Sequence, residues 1–425
     1  MRILHTSDWH LGAYLQDESR LPEQVKFLDW LKGVLREEKP DALVVAGDVF
    51  DTCAPSNQAL ELYYQFLAVL FAEKLCGMTV VIGGNHDSPS LLDAPSGLLS
   101  HLRTRVVGAV EYIEGEGGER VAQVGREVVL VPDAEGRPGL AIGAIPYLRD
   151  ADLRRSSALE SDAEQTGKLK EGFREHTRTV ADLARKMAGE AGGKRVPLVL
   201  MGHLYVTGAS LAEEPSERSL NVGGLGGLEA ELLPKADYVA LGHLHVPQAV
   251  KNAECGRYSG SPIPLSFGEA NQKKSVVVVD FEGGKAPGVR LREVPRFQEL
   301  EQVKGTMEAV EGRLKELVAA KKDIWVDARI TEGEGDLRPF WNQVEAMVKG
   351  SRVRLMREHD QRPGKETSGL AGVVEEGVSL KEMKPAAVFA MRLGKEHLKE
   401  EELQMYGSMF EDVCRGLAEA DINKE

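Results

Sequence analysis

Residues 3–10 read ILHTSDWH, and this stretch decides the fold because an apolar, β-branched run ends there in Ser, Asp and His. The same pattern returns at residues 42–48, ALVVAGD, and at residues 79–87, TVVIGGNHD. Between these runs, Glu23 to Leu35 and Gln58 to Leu75 carry apolar residues at helical spacing. The order of strand, helix, strand, helix, strand predicts an α/β fold. In such sheets, polar residues just beyond the carboxyl ends of the strands line the ligand-binding crevice, and the polar clusters lie there.

The strand pattern resumes after a polar, helical middle stretch from Ala151 to Lys194. Val196 to Met201 and Tyr238 to Leu241 read as strands that run into Gly-His and into Gly-His-Leu-His. Ser275 to Phe281 reads as the last strand of this domain, and residues 282–287, which contain Gly and Pro, predict a boundary.

We therefore expect three domains. Residues 1–281 carry the polar strand ends, residues 282–372 form a smaller α/β unit that ends in a polar linker, and residues 373–425 are mostly helical. The elements predicted for the second unit are strands at Val289–Val294, Ile324–Ile330 and Val353–Arg357, and helices at Val303–Ala319 and Leu337–Val348.

Composition places the chain among ordinary globular proteins and excludes several classes. Its 425 residues, 42% hydrophobic and 28% charged, match neither a fibre nor a disulfide-stabilised peptide. The net charge of −14 argues against a surface that is basic all round, but it allows a local basic groove for nucleic acid. The four cysteines are scattered, no run of about 20 apolar residues occurs, and the amino terminus is unlike a signal peptide, so we expect a cytoplasmic protein without a membrane span.

Five of the ten histidines directly follow predicted strands and stand beside Asp and Asn. Histidine and carboxylate ligands together suit manganese, iron or zinc, and a set of this size favours two ions about 3.5–4 Å apart, an arrangement that cleaves phosphate esters. Taken alone, each Asp or Asn could instead be a turn former or helix cap. His5, inside the first strand, is expected to be a packed core residue. The candidate ligands are Asp8, His10, Asp48, Asn85, His203, His243 and His245, with His86 and Asp87 beside them.

These clusters resemble, in order and spacing, the motifs of the calcineurin-like metallophosphoesterases. Three further stretches, residues 7–12 (SDWHLG), 144–149 (AIPYLR) and 258–267 (YSGSPIPLSF), are similar to the bacterial SbcD family within that superfamily. The resemblance implies a sandwich of two mixed sheets flanked by helices, with a smaller α/β cap domain and carboxyl-terminal helices. The matching motifs are Asp8-x-His10, Gly47-Asp48-x-x-Asp51, Gly84-Asn85-His86-Asp87, Gly202-His203 and Gly242-His243-x-His245.

The resemblance also implies a role for each candidate residue. His86 would face the scissile phosphate without touching a metal, and Asp87 would orient His86. Archaeal and eukaryotic relatives have a histidine where this sequence has Asp51, so the role of Asp51 stays open. Two divalent ions, manganese in this family, would be held by Asp8, His10 and His245 at the first position and by Asn85, His203 and His243 at the second, with Asp48 bridging them.

Near the carboxyl terminus, apolar residues at a spacing of three or four predict an amphipathic helix. This helix either packs on its own chain or presents a face to a partner. In the resembled family, this region docks on the coiled-coil base of an SbcC-type ATPase, and the family implies a homodimer within a heterotetramer. The residues of this face are Leu403, Tyr406, Phe410 and Val413.

The function that the resemblance implies is that of a metal-dependent DNA nuclease subunit acting with an SbcC-type coiled-coil ATPase in DNA repair, recombination and replication. It would be a 3′ to 5′ double-strand exonuclease and a single-strand and hairpin endonuclease. The alternatives are a small-molecule phosphatase or cyclic-nucleotide phosphodiesterase on the same metal scaffold, and a catalytically silent scaffold for the ATPase. Composition marks no DNA groove, and Lys273-Lys274 read only as two lysines on the approach to a strand.

Overall fold

The computed structural model describes residues 1–114, 120–153, 162–192, 195–207, 209–210, 227–251, 255–282 and 285–362. These residues fall into two compact units, the larger of which comprises residues 1–302, 321–327 and 351–356. No helix in the described ranges is long and apolar enough to cross a membrane. The predicted partner-binding residues Leu403, Tyr406, Phe410 and Val413 lie outside the described residues, as does the whole predicted domain at 373–425.

The first sheet has six strands and is mixed. Four of them, from Arg2–Thr6 to Thr104–Val107, run parallel, and antiparallel pairing adds two more on the other side of Arg2–Thr6. Because the central strands are covered on both faces, they read as continuous apolar runs rather than alternating ones, as in Ala42–Ala46. In spatial order the strands are Gly288–Glu293, Ser275–Asp280, Arg2–Thr6, Ala42–Ala46, Met78–Ile82 and Thr104–Val107.

The second sheet also has six strands and is mixed. Leu198–His203 and Tyr238–Gly242 pair in parallel at its centre, so both carry their following polar residues to the same edge. One antiparallel strand closes each side. In spatial order the strands are Gln248–Ala249, Gly256–Tyr258, Tyr238–Gly242, Leu198–His203, Pro138–Ala144 and Val128–Pro132.

Apolar side chains between the two sheets join them into a sandwich. Val44 and Val80 of the first sheet share one buried cluster with Val199 of the second. His5 is buried in the same layer, as predicted, and its Nδ1 lies 3.0 Å from the Tyr238 hydroxyl. Fully burying an aliphatic side chain contributes about 1.5–3 kcal/mol, so this layer holds the strand ends of both sheets in a fixed relation.

Helices cover the outer faces of the sandwich. Leu21–Glu38 and Asn57–Ala72 bury apolar side chains on the first sheet, and Asp162–Gly192 buries Phe173 on the second. This is the predicted sandwich of two mixed sheets flanked by helices. The shorter elements of this part are the helices Pro89–Asp93, Ser96–His101 and Asp150–Leu153 and the strands Tyr14–Leu15, Glu18–Ser19, Tyr112–Glu114 and Arg120–Ala122.

The structure corrects one predicted boundary. The strand expected at Val289–Val294 forms over Gly288–Glu293, but it pairs antiparallel with Ser275–Asp280 at the edge of the first sheet instead of opening a second unit. Of the stretch at 282–287, the described residues 282 and 285–287 therefore lie between two paired strands. Gly and Pro serve such turns as well as domain linkers, so the sequence pattern does not distinguish the two.

A separate three-stranded sheet follows. Its central strand, Ile324–Ile330, has the predicted bounds and is buried throughout. Val353–Asp360 is longer than predicted, and Glu299–Gly305 was not predicted because ELEQVKG lacks a strand pattern. The helices of this region are Met307–Ala319 and Arg338–Val348, close to their predicted places.

Candidate metal centre

The candidate centre lies in the larger unit, where strands of both sheets end. The strands concerned are Arg2–Thr6, Ala42–Ala46 and Met78–Ile82 in the first sheet and Leu198–His203 and Tyr238–Gly242 in the second. All nine predicted side chains meet at this edge, and almost all are buried. The first sheet contributes Asp8, His10, Asp48, Asn85, His86 and Asp87, and the second contributes His203, His243 and His245.

Four of these residues adopt a backbone conformation that non-glycine residues rarely take. The φ angles are 52° at Asp8, 45° at His10, 49° at Asp48 and 101° at His243. Such left-handed conformations cost energy and concentrate at functional sites, where surrounding contacts hold them. Here the backbone N–H of Asp8 donates to Gly47 O and that of His10 donates to Asp48 O, each at 3.0 Å, so the two loops support each other.

Two positions in the motifs require glycine, because another side chain approaches the backbone closely at each of them. Gly47 has a φ of 87°, and a Cβ there would overlap the His203 ring. A Cβ at Gly84 would overlap the Asp48 carboxylate. The Gly-Asp and Gly-Asn pairs of the sequence therefore let a histidine of one sheet and a carboxylate of the other approach the same point.

One group of ligand atoms lies at the first predicted metal position. Asp8, His10 and His245 each offer an atom within 4.8 Å of the other two, and all three residues are buried. The Nε2 atoms of His10 and His245 are 3.2 Å apart. The Asp8 carboxylate is also held in place, because its Oδ1 accepts the backbone N–H of His243 at 2.9 Å.

A second group surrounds Asn85. Its Oδ1 lies 2.9 Å from Nε2 of His203 and 3.1 Å from Nδ1 of His243. Asp48 stands between the two groups, since its Oδ2 is 3.3 Å from Nε2 of His203 and 3.6 Å from Nε2 of His10. The structure thus brings together the residues of each predicted position and places Asp48 where both can reach it.

These distances fit metal ligation. Two ligand atoms bound to one ion at about 2.0–2.2 Å lie roughly 2.8–3.6 Å apart, depending on the coordination angle. The pairs above span 2.9–3.6 Å. Within the described ranges, Nε2 of His243 is buried without a hydrogen-bond partner. The imidazole, carboxylate and amide donors suit manganese, iron or zinc, so the residues present fit divalent metals.

The electrostatics of the centre favour cations. Burial alone would lower the pKa of His10 and of His203, but the hydrogen bond with Asp51 and the charge of Asp48 raise that of His10, and Asp48 raises that of His203, so that both pKa values reach about 9. The pKa of Asp48 lies well below its ordinary value, because the effect of burial is exceeded by His203 and His10. Burial and the nearby His203 lower the pKa of His243 to about 3. In the metal-free protein, protons on His10 and His203 balance Asp48, and metals must displace them.

His86 faces the first group from one side. Its ring centroid is 4.8 Å from that of His10, and its backbone N–H donates to Asp48 Oδ1 at 2.9 Å. Nδ1 lies 2.7 Å from the backbone carbonyl of Asp51, so Nδ1–H is the donor and Nε2 is the other ring nitrogen. His86, His10 and Asp48 also form a group with ligand atoms within 4.8 Å.

Asp87 was predicted to orient His86, which stays a prediction, and its contacts show a further role. Its carboxylate accepts the backbone N–H groups of Phe50 and Gly84 at 2.9 Å and that of Val49 at 3.1 Å. Asp87 therefore ties the loop after Ala42–Ala46 to the loop after Met78–Ile82, while the Asp51 carbonyl orients His86. The side chain of Asp51 has a further contact, since its Oδ1 lies 3.3 Å from Nδ1 of His10.

Sequence reasoning missed several residues around the centre. Ser7 Oγ donates to Asp8 Oδ2 and lies 2.7 Å from Ser259 Oγ. Glu269 contacts His245, and Lys274 contacts Glu269. The family-like stretch at 258–267 includes Ser259 and could have pointed to it, but no spacing marks Glu269 or Lys274.

Comparison with known proteins gives two family matches. Residues 1–247 match the calcineurin-like phosphoesterases, and residues 296–397 match the type 5 capsule protein repressor C-terminal domain. The SbcD subunit of the nuclease SbcCD from Escherichia coli is 34% identical over 424 residues, covering 98% of this chain and 99% of that relative. The corresponding SbcCD proteins of Bacillus subtilis and Rhodobacter capsulatus are 38% and 37% identical over 67% and 68% of both chains.

This chain belongs to the SbcD family of calcineurin-like phosphoesterases. Membership confirms the predicted family, the predicted fold and a hydrolase that acts on phosphate esters. The match at residues 1–247 contains every candidate ligand, and the cluster of His and Asp side chains indicates divalent metal binding. Each assignment of a single SbcD-family residue to one metal position remains a hypothesis.

Proposed function

We propose that this SbcD-family chain is the nuclease subunit of an SbcCD-type complex and hydrolyses DNA phosphodiesters at a binuclear metal centre. The position of Asp48 carries the proposal, because its Oδ2 is within 3.6 Å of both His10 and His203, so that one carboxylate faces both ligand groups. The substrate class is supported by a relative named as a nuclease subunit that aligns over 98% of this chain.

The bound ions, manganese in this proposal, would supply Lewis-acid activation of the scissile phosphate. Asp48 would face both ions and offset part of their charge. The remaining ligands would divide as the resemblance implies, with Asp8, His10 and His245 at the first position and Asn85, His203 and His243 at the second.

His86 is the proposed group for proton transfer. Because Nδ1–H donates to the Asp51 carbonyl, Nε2 is the nitrogen that can exchange a proton with the leaving oxygen or donate to the charged phosphate. Asp87 supports this geometry indirectly, since it bonds to the backbone at Gly84 in the same loop.

The proposed reactions are 3′ to 5′ exonuclease action on duplex ends and endonuclease action on single strands and hairpins, in DNA repair, recombination and replication in the cytoplasm. The proposed partner is an SbcC-type coiled-coil ATPase, in a heterotetramer that contains two copies of this chain. The names of the relatives, each one subunit of an SbcCD nuclease, support a multi-subunit assembly. Docking through Leu403, Tyr406, Phe410 and Val413 stays a prediction.

The test is digestion of end-labelled duplex and hairpin DNA with Mn²⁺, with and without an SbcC-type ATPase and ATP. Bis(p-nitrophenyl) phosphate is included as a small diester. We expect manganese-dependent shortening of the duplex from its 3′ ends, opening of the hairpin, and dependence of duplex digestion on the ATPase. Hydrolysis of the small diester with intact DNA under all conditions would contradict the proposal and favour a small-molecule phosphoesterase. Inactivity on every substrate would favour a silent scaffold.

A further inference from the structure

The stretch at residues 258–267, YSGSPIPLSF, contributes no ligand to the proposed centre, yet it lies beside it. The stretch leaves the short strand Gly256–Tyr258 and leads into a turn at Phe267–Glu269. Ser259 and Ser261 of this stretch and Glu269 of the turn that follows it have 0% exposed surface. Buried polar groups are retained only with partners, so the partners indicate what the segment does.

The two carboxylate oxygens of Glu269 have different partners. Its Oε1 accepts the Nδ1–H of His245 at 3.3 Å. Its Oε2 accepts from Nζ of Lys274 at 2.6 Å, from Oγ of Ser261 at 3.2 Å and from the backbone N–H of Leu265 at 3.2 Å. The carboxylate is thus fixed on one side by the segment, and it presents its other oxygen to a candidate metal ligand.

Lys274 contacts both Glu269 and His245 and so helps to hold them together. Its side chain is 3% exposed, and Nζ also donates to the backbone carbonyl of His245 at 2.9 Å and to Ser261 at 3.0 Å. A buried ion pair by itself adds little to stability, because desolvation offsets the Coulomb attraction. Through this pair, the Glu269 carboxylate holds the ring of His245, and the Lys274 ammonium group holds its backbone carbonyl.

We infer that Glu269 is a positioning residue for His245, which directs Nε2 of that ring to the first metal position. The inference rests on the proposed metal centre. With Nδ1–H donating to a carboxylate, the lone pair of the ring is on Nε2, and this atom lies 3.2 Å from Nε2 of His10. A carboxylate behind a metal-bound histidine fixes the tautomer and makes the ring a stronger ligand.

Among the described residues, the group behind His203 at the second position is of another kind. Nδ1 of His203 donates to the backbone carbonyl of Ala46 at 2.9 Å, which is a neutral acceptor. Removal of the Glu269 charge should therefore weaken metal binding at one position and leave the other near its original affinity.

The test measures Mn²⁺ binding to the full, metal-free chain by calorimetry, without DNA. For Glu269→Gln we expect one of the two Mn²⁺ equivalents to bind about 10–100-fold more weakly, the usual effect of losing such a support. Nitrogen-15 shifts of the imidazoles should also show that His245 no longer holds its proton on Nδ1 alone. Glu127→Gln is the matched control, because Glu127 is equally buried and pairs with His176 Nε2 at 2.8 Å, outside the metal centre. It should keep both affinities.

A purely structural role, in which Glu269 only balances Lys274, predicts a different result. The double variant Glu269→Gln with Lys274→Met removes the unbalanced ammonium group and also serves if the single variant does not fold. Weak binding at one position in this variant supports the inference, whereas recovery of both affinities overturns it. Failure of the proposed nuclease function can be distinguished from failure of the role proposed for Glu269. A wild-type chain that binds two Mn²⁺ but does not cleave DNA contradicts only the nuclease function. Unchanged affinity in Glu269→Gln, with DNA cleavage by the wild type, refutes only the role of Glu269.

Discussion

At the scale of single residues, Asp48 is the most sensitive position, because both ligand groups share its carboxylate. Asp48→Ala should abolish Mn²⁺ loading and DNA cleavage together, since the one carboxylate that faces both positions no longer offsets the repulsion of two adjacent cations. Elemental analysis after dialysis against Mn²⁺ measures the loading. Asp133→Ala, on the turn that precedes Pro138–Ala144 at the end of that strand away from the centre, should keep both properties. Two equivalents of manganese in Asp48→Ala would remove Asp48 from the centre.

A substitution at His86 tests the chemistry of the centre separately from its metal binding. His86→Gln should keep two Mn²⁺ but lower the turnover of DNA by about 10²–10⁴, the range for losing one general acid or charge-stabilising donor. Metal analysis and single-turnover digestion measure the two properties separately. His101→Gln, at an exposed position, provides the control. A loss of manganese in His86→Gln would instead make His86 a ligand, which its place in a group with His10 and Asp48 allows.

The sequence reveals a residue of the centre when the order of the strands alone determines where that residue lies. The candidate ligands stand directly after strands, and the parallel order of those strands carries them to one edge, so local pattern suffices. Glu269 and Lys274 meet His245 only through tertiary packing. Lys273 and Lys274 are adjacent in sequence, but their side chains are 82% and 3% exposed. Composition cannot distinguish the surface lysine from the buried one.

At the scale of elements, the edge strand Gly288–Glu293 is tied to the helix Leu21–Glu38 by charge. Arg290 and Arg292 both donate to the Glu38 carboxylate, at 2.6–3.2 Å. Hydrogen bonds from Arg290 lower the pKa of Glu38, and this effect is larger than the opposite effect of burial. Because the folded pKa lies below the unfolded one, this stabilisation is present above about pH 4.3 and is lost as the pH falls through the folded value.

Glu38→Gln should therefore lower the free energy of unfolding by about 1–2 kcal/mol at neutral pH. The difference from the wild type should shrink in acid and vanish only once the pH has fallen below the lowered folded pKa of Glu38, since the wild-type carboxyl is then protonated as well. Thermal unfolding of both proteins across this pH range is the measurement. Glu37→Gln is the control, because Glu37 contacts Arg292 but its side chain is 65% exposed. An equal loss in both variants, or a difference that persists in acid, would show that the Glu38 charge does not hold the strand.

Elements were predictable in proportion to their burial. Ala42–Ala46 and Ile324–Ile330 have the predicted bounds, since central strands carry a continuous apolar run. Glu299–Gly305 lies at an edge and reads ELEQVKG, so pairing with its neighbour, rather than its own composition, makes it a strand. The same holds for the boundary expected at residue 282, because only the pairing of Gly288–Glu293 with Ser275–Asp280 shows that the first sheet continues beyond it.

At the scale of the whole molecule, neither proposed metal position is complete within one sheet. The first combines Asp8 and His10 of the first sheet with His245 of the second, and the second combines Asn85 with His203 and His243. Metal binding should therefore link the two halves of the sandwich. Because the ligands come together only in the folded chain, the free energy of binding becomes free energy of folding.

Mn²⁺ should accordingly raise the melting temperature of this chain. At a free concentration 100 times the dissociation constant, one site adds about 2.7 kcal/mol, which corresponds to roughly 3–4 °C for a chain of this size. Thermal unfolding with Mn²⁺ and with EDTA measures the shift, and Asp48→Ala controls for manganese held at surface carboxylates. A shift of the same size in that variant, or none in the wild type, would mean that the ligand groups do not join the sheets through bound metal. The expected result, a rise in the wild type that Asp48→Ala abolishes, would tie the centre to the packing of the two sheets.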